Sequence, residues 1–133
     1  MTPTENKRLL ERIYAEISKG NPQLLLDSLA DDVRWTIIGS TVLSGTSHGK
    51  QEVIDKLLRP LRARLADGPV VFHVERFIAE GDYVVMQAKG RATARSGKPY
   101  NNTYCIVCRM VDGKIADVTD YVDTELITSA LAA

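Results

Sequence analysis

Two cysteines, two histidines and one tryptophan are all that this 133-residue chain carries of the residues most used for metal and redox chemistry. Cys105 and Cys108 make a C-x-x-C spacing, but it falls within a strand pattern, where residues three apart point to opposite faces. A disulfide or a shared metal is unreasonable in that setting, and no second pair exists to complete a zinc site. Both are expected to be free thiols in a reducing compartment. Long hydrophobic runs are also missing, and none approaches the roughly 20 residues of a membrane span. The opening Met1-Thr2-Pro3-Thr4-Glu5-Asn6-Lys7-Arg8 lacks the apolar centre of a secretory signal. An excess of either charge is absent as well: 17 basic and 17 acidic residues give a net charge of zero. Nucleic acids and anionic membranes favour a basic partner, so neither is expected here. What remains is a cytoplasmic globular protein, one domain over residues 1–133, with roughly two thirds of its unfolded surface to bury.

The residues that are present fall into helices first and strands after. Over 4–18, Leu9, Leu10, Ile13, Tyr14 and Ile17 recur at helical spacing, with charged residues between them. Gly20 ends this helix, and Asn21-Pro22 starts a short second one carrying Leu24, Leu25, Leu26 and Leu29. Asp31-Asp32 closes it before a strand over 33–38. Residues 39–49, rich in Ser, Thr and Gly, read as a loop. A third helix over 50–66 holds Pro60, which is expected to kink it near Leu58 or Arg59. Strands over 70–79, 83–94, 102–111 and 114–122 follow, separated by Gly81-Asp82, Ser96-Gly97-Lys98-Pro99 and Asp112-Gly113. Asp-Gly between alternating β-formers is a strong hairpin signal, because Gly accepts the positive φ the turn needs. Thr124 is placed to cap a terminal helix through Leu131. Helices on one face of a curved antiparallel sheet make an α+β protein with room for a cleft.

Strand parity then sorts the side chains. Val84, Met86, Ala88 and Gly90 form an uncharged face opposite Gln87, Lys89 and Arg91, so the uncharged face is the inner one. Asn102, Tyr104, Ile106, Cys108 and Met110 share a face on the next strand, and Ala116, Val118, Asp120 and Val122 group on the last. Asp120 therefore sits among apolar residues. A desolvated carboxyl has a raised pKa and needs a hydrogen-bond partner, which suits a general acid or base. His73 is less determined, because both faces of its strand are apolar. Facing inward it pairs with Asp120 as an acid–base couple; facing outward it is a surface or interface residue. The outer face, with Cys105, Val107, Arg109, Thr119 and Tyr121, is amphipathic, and its apolar members suggest a cover.

Several stretches carry a resemblance: Asp32-Val33-Arg34-Trp35-Thr36, Leu43-Ser44-Gly45-Thr46-Ser47-His48-Gly49-Lys50, Ile78-Ala79-Glu80-Gly81-Asp82, Gly97 to Tyr104, and Asp112-Gly113-Lys114-Ile115 through Asp120-Tyr121-Val122-Asp123-Thr124. In these, and in its element order, the chain resembles the nuclear transport factor-like fold, and within it the SnoaL-like and ketosteroid-isomerase-like proteins. The resemblance implies a cone-shaped, curved mixed or antiparallel sheet wrapped around N-terminal helices, with an apolar pocket. It also points to Asp120, because an acid at this place recurs in the cyclases and epoxide hydrolases. Epoxide hydrolases of this fold add a second carboxylate and an arginine on the strand that here presents Ala88 and Gly90 inward, so that set is incomplete. Pairing through the outer sheet face is common in the family and implies a homodimer.

Two readings of function stand side by side. In the first, the protein is a cofactor-independent enzyme of the isomerase, cyclase or hydratase type, acting on a small hydrophobic molecule. Asp120 transfers protons, with Tyr104 and His73 as further catalytic candidates. Trp35, Asn102, Met86, Ile106, Cys108 and Tyr14 bind or orient the ligand, and no metal takes part. In the second, the same pocket belongs to a non-catalytic ligand-binding or dimerisation module.

Overall fold

A computed structural model describes residues 1–132; Ala133, the end of the expected 1–133 unit, lies outside the described residues. The N-terminal helix α1 (Pro3–Ser18) is opened by a reciprocal cap. Thr2 Oγ1 accepts from the Glu5 amide at 3.1 Å, and Glu5 Oε1 accepts from the Thr2 amide at 2.9 Å, which satisfies two of the donors a helix start leaves free. After α2 (Gln23–Ser28) come β1 (Leu29–Ile37), β2 (Gly45–His48), α3 (Lys50–Val53), a π-helical turn (Ile54–Leu58) and α4 (Arg59–Arg64). Strands β3 (Val71–Glu80), β4 (Tyr83–Arg91), β5 (Thr103–Val111) and β6 (Lys114–Val122) lead into α5 (Thr124–Leu131).

All six strands form one curved, unclosed sheet in the order β2-β1-β6-β5-β4-β3. Four of the five strand pairings are antiparallel, while β1 runs parallel to β6 and brings Trp35 and Ile37 beside Val118 and Asp120. The β5–β6 hairpin turns on Asp112 (φ 49°) and Gly113 (φ 76°). Two consecutive positive φ values match the right-handed twist of the flanking strands. Helix α1 packs on β3 and β4, and Leu10, Ile13 and Tyr14 from it join Val33, Val84, Met86, Cys108 and Val118 in the core.

Four local expectations are corrected. The second helix stops at Ser28, and Leu29 through Asp32 already belong to β1, whose register is irregular between Leu29 and Arg34. The segment 39–49 is not all loop: β2 pairs with β1 through Trp35↔Ser47 and Thr36↔Thr46, helped by a 2.8 Å contact between the two threonine hydroxyls. A shift in register between Arg109 and Met110 pairs Met110 with Ile115, so Ile115 rather than Ala116 is buried. Asp123, not Thr124, caps α5, its Oδ1 accepting from the Leu126 amide at 3.2 Å. The break expected at Pro60 is present as the π-helical turn ending at Leu58, just before α4. Proline cannot supply the amide that would continue the α ladder, and a one-residue expansion absorbs the mismatch.

Candidate functional site

The inner face of the sheet carries apolar rows interrupted by the carboxyl of Asp120. Register places Met86, Ile106, Asp120 and Ile37 side by side across four strands. Asp120 is 6% exposed. The Trp35 indole donates to its Oδ2 at 2.6 Å, while Oδ1 is buried without a hydrogen-bond partner. Burial pushes the carboxyl from 3.8 up to about 6, and the indole hydrogen bond holds it back from going further. The charge is thus desolvated and half-satisfied, and its titration is moved toward neutral pH.

Asp120 lines a cavity of about 420 Å³ between the sheet and the helices. Leu25, Leu57, Leu61, Leu65 and Ile127 supply the helical side of its wall, and Ile37, Ile106 and Val122 the sheet side. The polar groups gather near the carboxylate. Tyr14 packs edge-on against Phe72 at 5.0 Å, and Phe72 lies 4.9 Å from Tyr104, so three rings make one continuous wall. Burial raises the Tyr14, Tyr100 and Tyr104 phenols above their ordinary range, and the Asp120 charge adds to it. They remain protonated donors at neutral pH.

The site residues expected from sequence divide into three sets. Asp120, Tyr104, Trp35, Ile106 and Tyr14 meet at the cavity. Met86 and Cys108 are buried on the same face but are absent from the cavity wall, lying in the core beside it. Burial raises the Cys108 thiol, so it is inert; Cys105 sits half-buried on the other face, and both thiols are free. Asn102, fully buried, is also not part of the wall. Its Oδ1 accepts from the Asp123 amide at 2.9 Å, and its Nδ2 donates to the Asp123 carbonyl at 3.3 Å and to Tyr100 Oη at 3.1 Å. The amide is spent on joining the start of β5 to the end of β6, so it positions Tyr100 rather than a ligand. His73 is exposed on β3 and does not reach the cavity. Phe72, its neighbour, takes the inward place, and a shift in register between Val74 and Arg76 accounts for the ambiguous pattern of that strand.

Tyr100 was not among the expected residues, although it is 3% exposed and lines the cavity. Its signal was its parity with Asn102 and Tyr104, masked because it precedes β5. Among the described residues no group of three His, Cys, Asp or Glu side chains is close enough to hold a metal, and no helix is long and apolar enough to cross a membrane.

An open mixed sheet folded over helices, with one buried carboxylate at the wall of an apolar cavity, defines an α+β pocket protein of the nuclear transport factor-like fold. The SnoaL-like domain family matches residues 10–118, and the chain belongs to that family. It is similar to a nuclear transport factor-like protein of unknown function from Burkholderia pseudomallei, with 26% identity, TM-score 0.85 and full coverage of both chains. TerC, co-crystallised with polyporic acid, shares 24% identity over 99% of this chain and 100% of its own, with TM-score 0.81. A putative SnoaL-like polyketide cyclase from Jannaschia sp. shares 18% identity over 100% of this chain and 96% of its own, with TM-score 0.76. No curated protein matches the sequence.

Proposed function

We propose that the protein is a cofactor-independent enzyme of the isomerase, cyclase or hydratase type, with Asp120 as general acid and base toward a small hydrophobic molecule. One observation carries this reading: a carboxylate buried in an apolar cavity, held by an indole at one oxygen and unpartnered at the other. A structural aspartate would have both oxygens answered. The ionised carboxylate takes a proton from the bound molecule. As negative charge develops on a substrate oxygen, the Tyr104 phenol donates to it, with Tyr100 beside it. The protonated Asp120 then returns the proton at a second position. The ligand of TerC and the description of the Jannaschia neighbour support a small organic occupant.

A homodimer through the outer sheet face and a cytoplasmic location complete the proposal, with no nucleic-acid or membrane partner. Screening small carbonyl compounds by thermal shift identifies an occupant, since a ligand at about 100 times its Kd adds roughly 2.7 kcal/mol. Asp120→Asn is then expected to keep binding and lose turnover by at least about 100-fold. Retained turnover in that variant, or an Asp120 that titrates near 4 by NMR, overturns the acid–base role. Binding without turnover in the wild type leaves the protein as a ligand-binding module.

A further inference from the structure

Aromatic residues are scarce in this chain: five tyrosines, two phenylalanines and one tryptophan. Five of these rings, Tyr14, Trp35, Phe72, Tyr100 and Tyr104, line the one cavity that holds Asp120. That concentration, together with a carboxylate lacking a donor at Oδ1, is a specific combination. Ring faces are electron-rich and attract cations, and an ionised carboxylate forms its strongest hydrogen bonds with a charged N–H.

We infer that the cavity accommodates a lipophilic ammonium ion, its N–H directed to Asp120 and its hydrocarbon body lying against the leucine-rich helical wall. This rests on the same cavity and the same charged group as the proposed function, and it narrows the class of occupant. Nothing within the cavity already neutralises the carboxylate. Trp35 from β1, Tyr14 from α1, and Tyr100, Tyr104 and Cys108 from β5 and its approach are the titratable or donor groups near it. All are uncharged at neutral pH. The two cations on the cavity wall, Arg59 and Arg62, belong to α4 and are exposed. Arg59 is paired with Asp55 at 2.7 Å, and Arg62 donates to the Gly68 and Ala66 carbonyls. Solvent screens both from the interior. A neutral apolar occupant would fill the volume but leave Oδ1 without its donor, and an anion would meet the carboxylate directly.

The test compares protonated N,N-dimethyl-2-phenylethylamine with methyl 2-phenylethyl ether, which keeps the phenylethyl body and a heteroatom at the same place, with one methyl fewer and no charge. Binding is followed by the fluorescence of Trp35, the sole tryptophan, and by calorimetry. The ammonium ion is expected to bind roughly 30-fold tighter at about pH 7.5, the scale of one charge-assisted hydrogen bond with a cation–π contact. Its affinity should fall roughly tenfold at about pH 5, as Asp120 protonates, while the ether is unaffected. Asp120→Asn should erase the preference and spare ether binding. Equal or tighter binding of the ether, a preference for the amine that survives in Asp120→Asn, or no binding of the amine overturns the inference. These outcomes are separable from the acid–base role: an Asp120 titrating near 4 removes that role yet preserves the preference for charge at about pH 7.5.

Discussion

The two faces of the sheet are one residue apart and obey opposite electrostatics. On the inner face the row Met86, Ile106, Asp120, Ile37 contains a carboxylate met by a neutral indole. On the outer face the adjacent row is Val85, Val107, Thr119, Thr36, and the nearby carboxylate of Asp117 is met by Arg109 at 2.6 Å and Arg34 at 3.9 Å. Charge is compensated where water could have screened it and left uncompensated where the carboxylate is buried. Exposed ion pairs contribute little, whereas an uncompensated buried charge is costly and persists where it is used. The outer face differs in another way too. It leaves Tyr121 48% exposed, with Ile78, Tyr83 and Val111 also exposed, an apolar content consistent with the proposed partner copy.

Introducing a second inner charge breaks the contrast most sharply. Val118→Asp places a carboxylate next to Trp35 and Cys108 in the core and should cost roughly 4 kcal/mol, against less than about 1 kcal/mol for Thr119→Asp one residue on. Urea denaturation of the pair measures this, and similar costs would erase the distinction between faces. The next effect comes from pH. Folded Asp120 holds its proton up to about 6, against 3.8 for an ordinary aspartate, so the folded state binds the proton more tightly than the unfolded one. The stabilisation is complete below about pH 4 and is lost as pH rises through 6, a change of roughly 3 kcal/mol. Subtracting the stability profile of Asp120→Asn from that of the wild type isolates it, and a flat difference would show that Asp120 is solvated. Asn102→Ala removes the clamp between β5 and β6 and should cost roughly 2 kcal/mol, because the Asp123 amide is left unpaired; hydrogen exchange at Asp123 should rise with it. The smallest effect is expected outside. Tyr121→Arg should change monomer stability by less than about 0.5 kcal/mol while weakening self-association in a sedimentation dilution series. A wild type that sediments only as a 14.7 kDa species would remove the dimer.

Parity made the inner face legible wherever a tight turn locked the register. Asp112-Gly113 did so for the part of β5 and β6 beyond the shift between Arg109 and Met110, and Asp120, Tyr104 and Ile106 followed from it. The strand β2 was illegible because Gly45-Thr46-Ser47-His48 has little apolar content; it is a strand only through its pairing with β1. For Asn102, parity gave the correct side but not the role. Whether a buried amide turns to a ligand or to the backbone depends on Asp123, 21 residues away. The irregular register between Val74 and Arg76 hid the side taken by His73. Tyr100 was missed because it reaches the cavity from irregular chain, where period-two reasoning has no purchase.

Gly90 has no side chain, and a Cβ there would lie 2.6 Å from Tyr104 Cε2. Position 90 and the ring of Tyr104 therefore claim one volume. A side chain at position 90, charged or not, is accommodated only if the Tyr104 ring shifts or is replaced. Either change made first leaves a clash or a void. Glycine at position 90 and the aromatic wall at Tyr104 are thus one coupled choice.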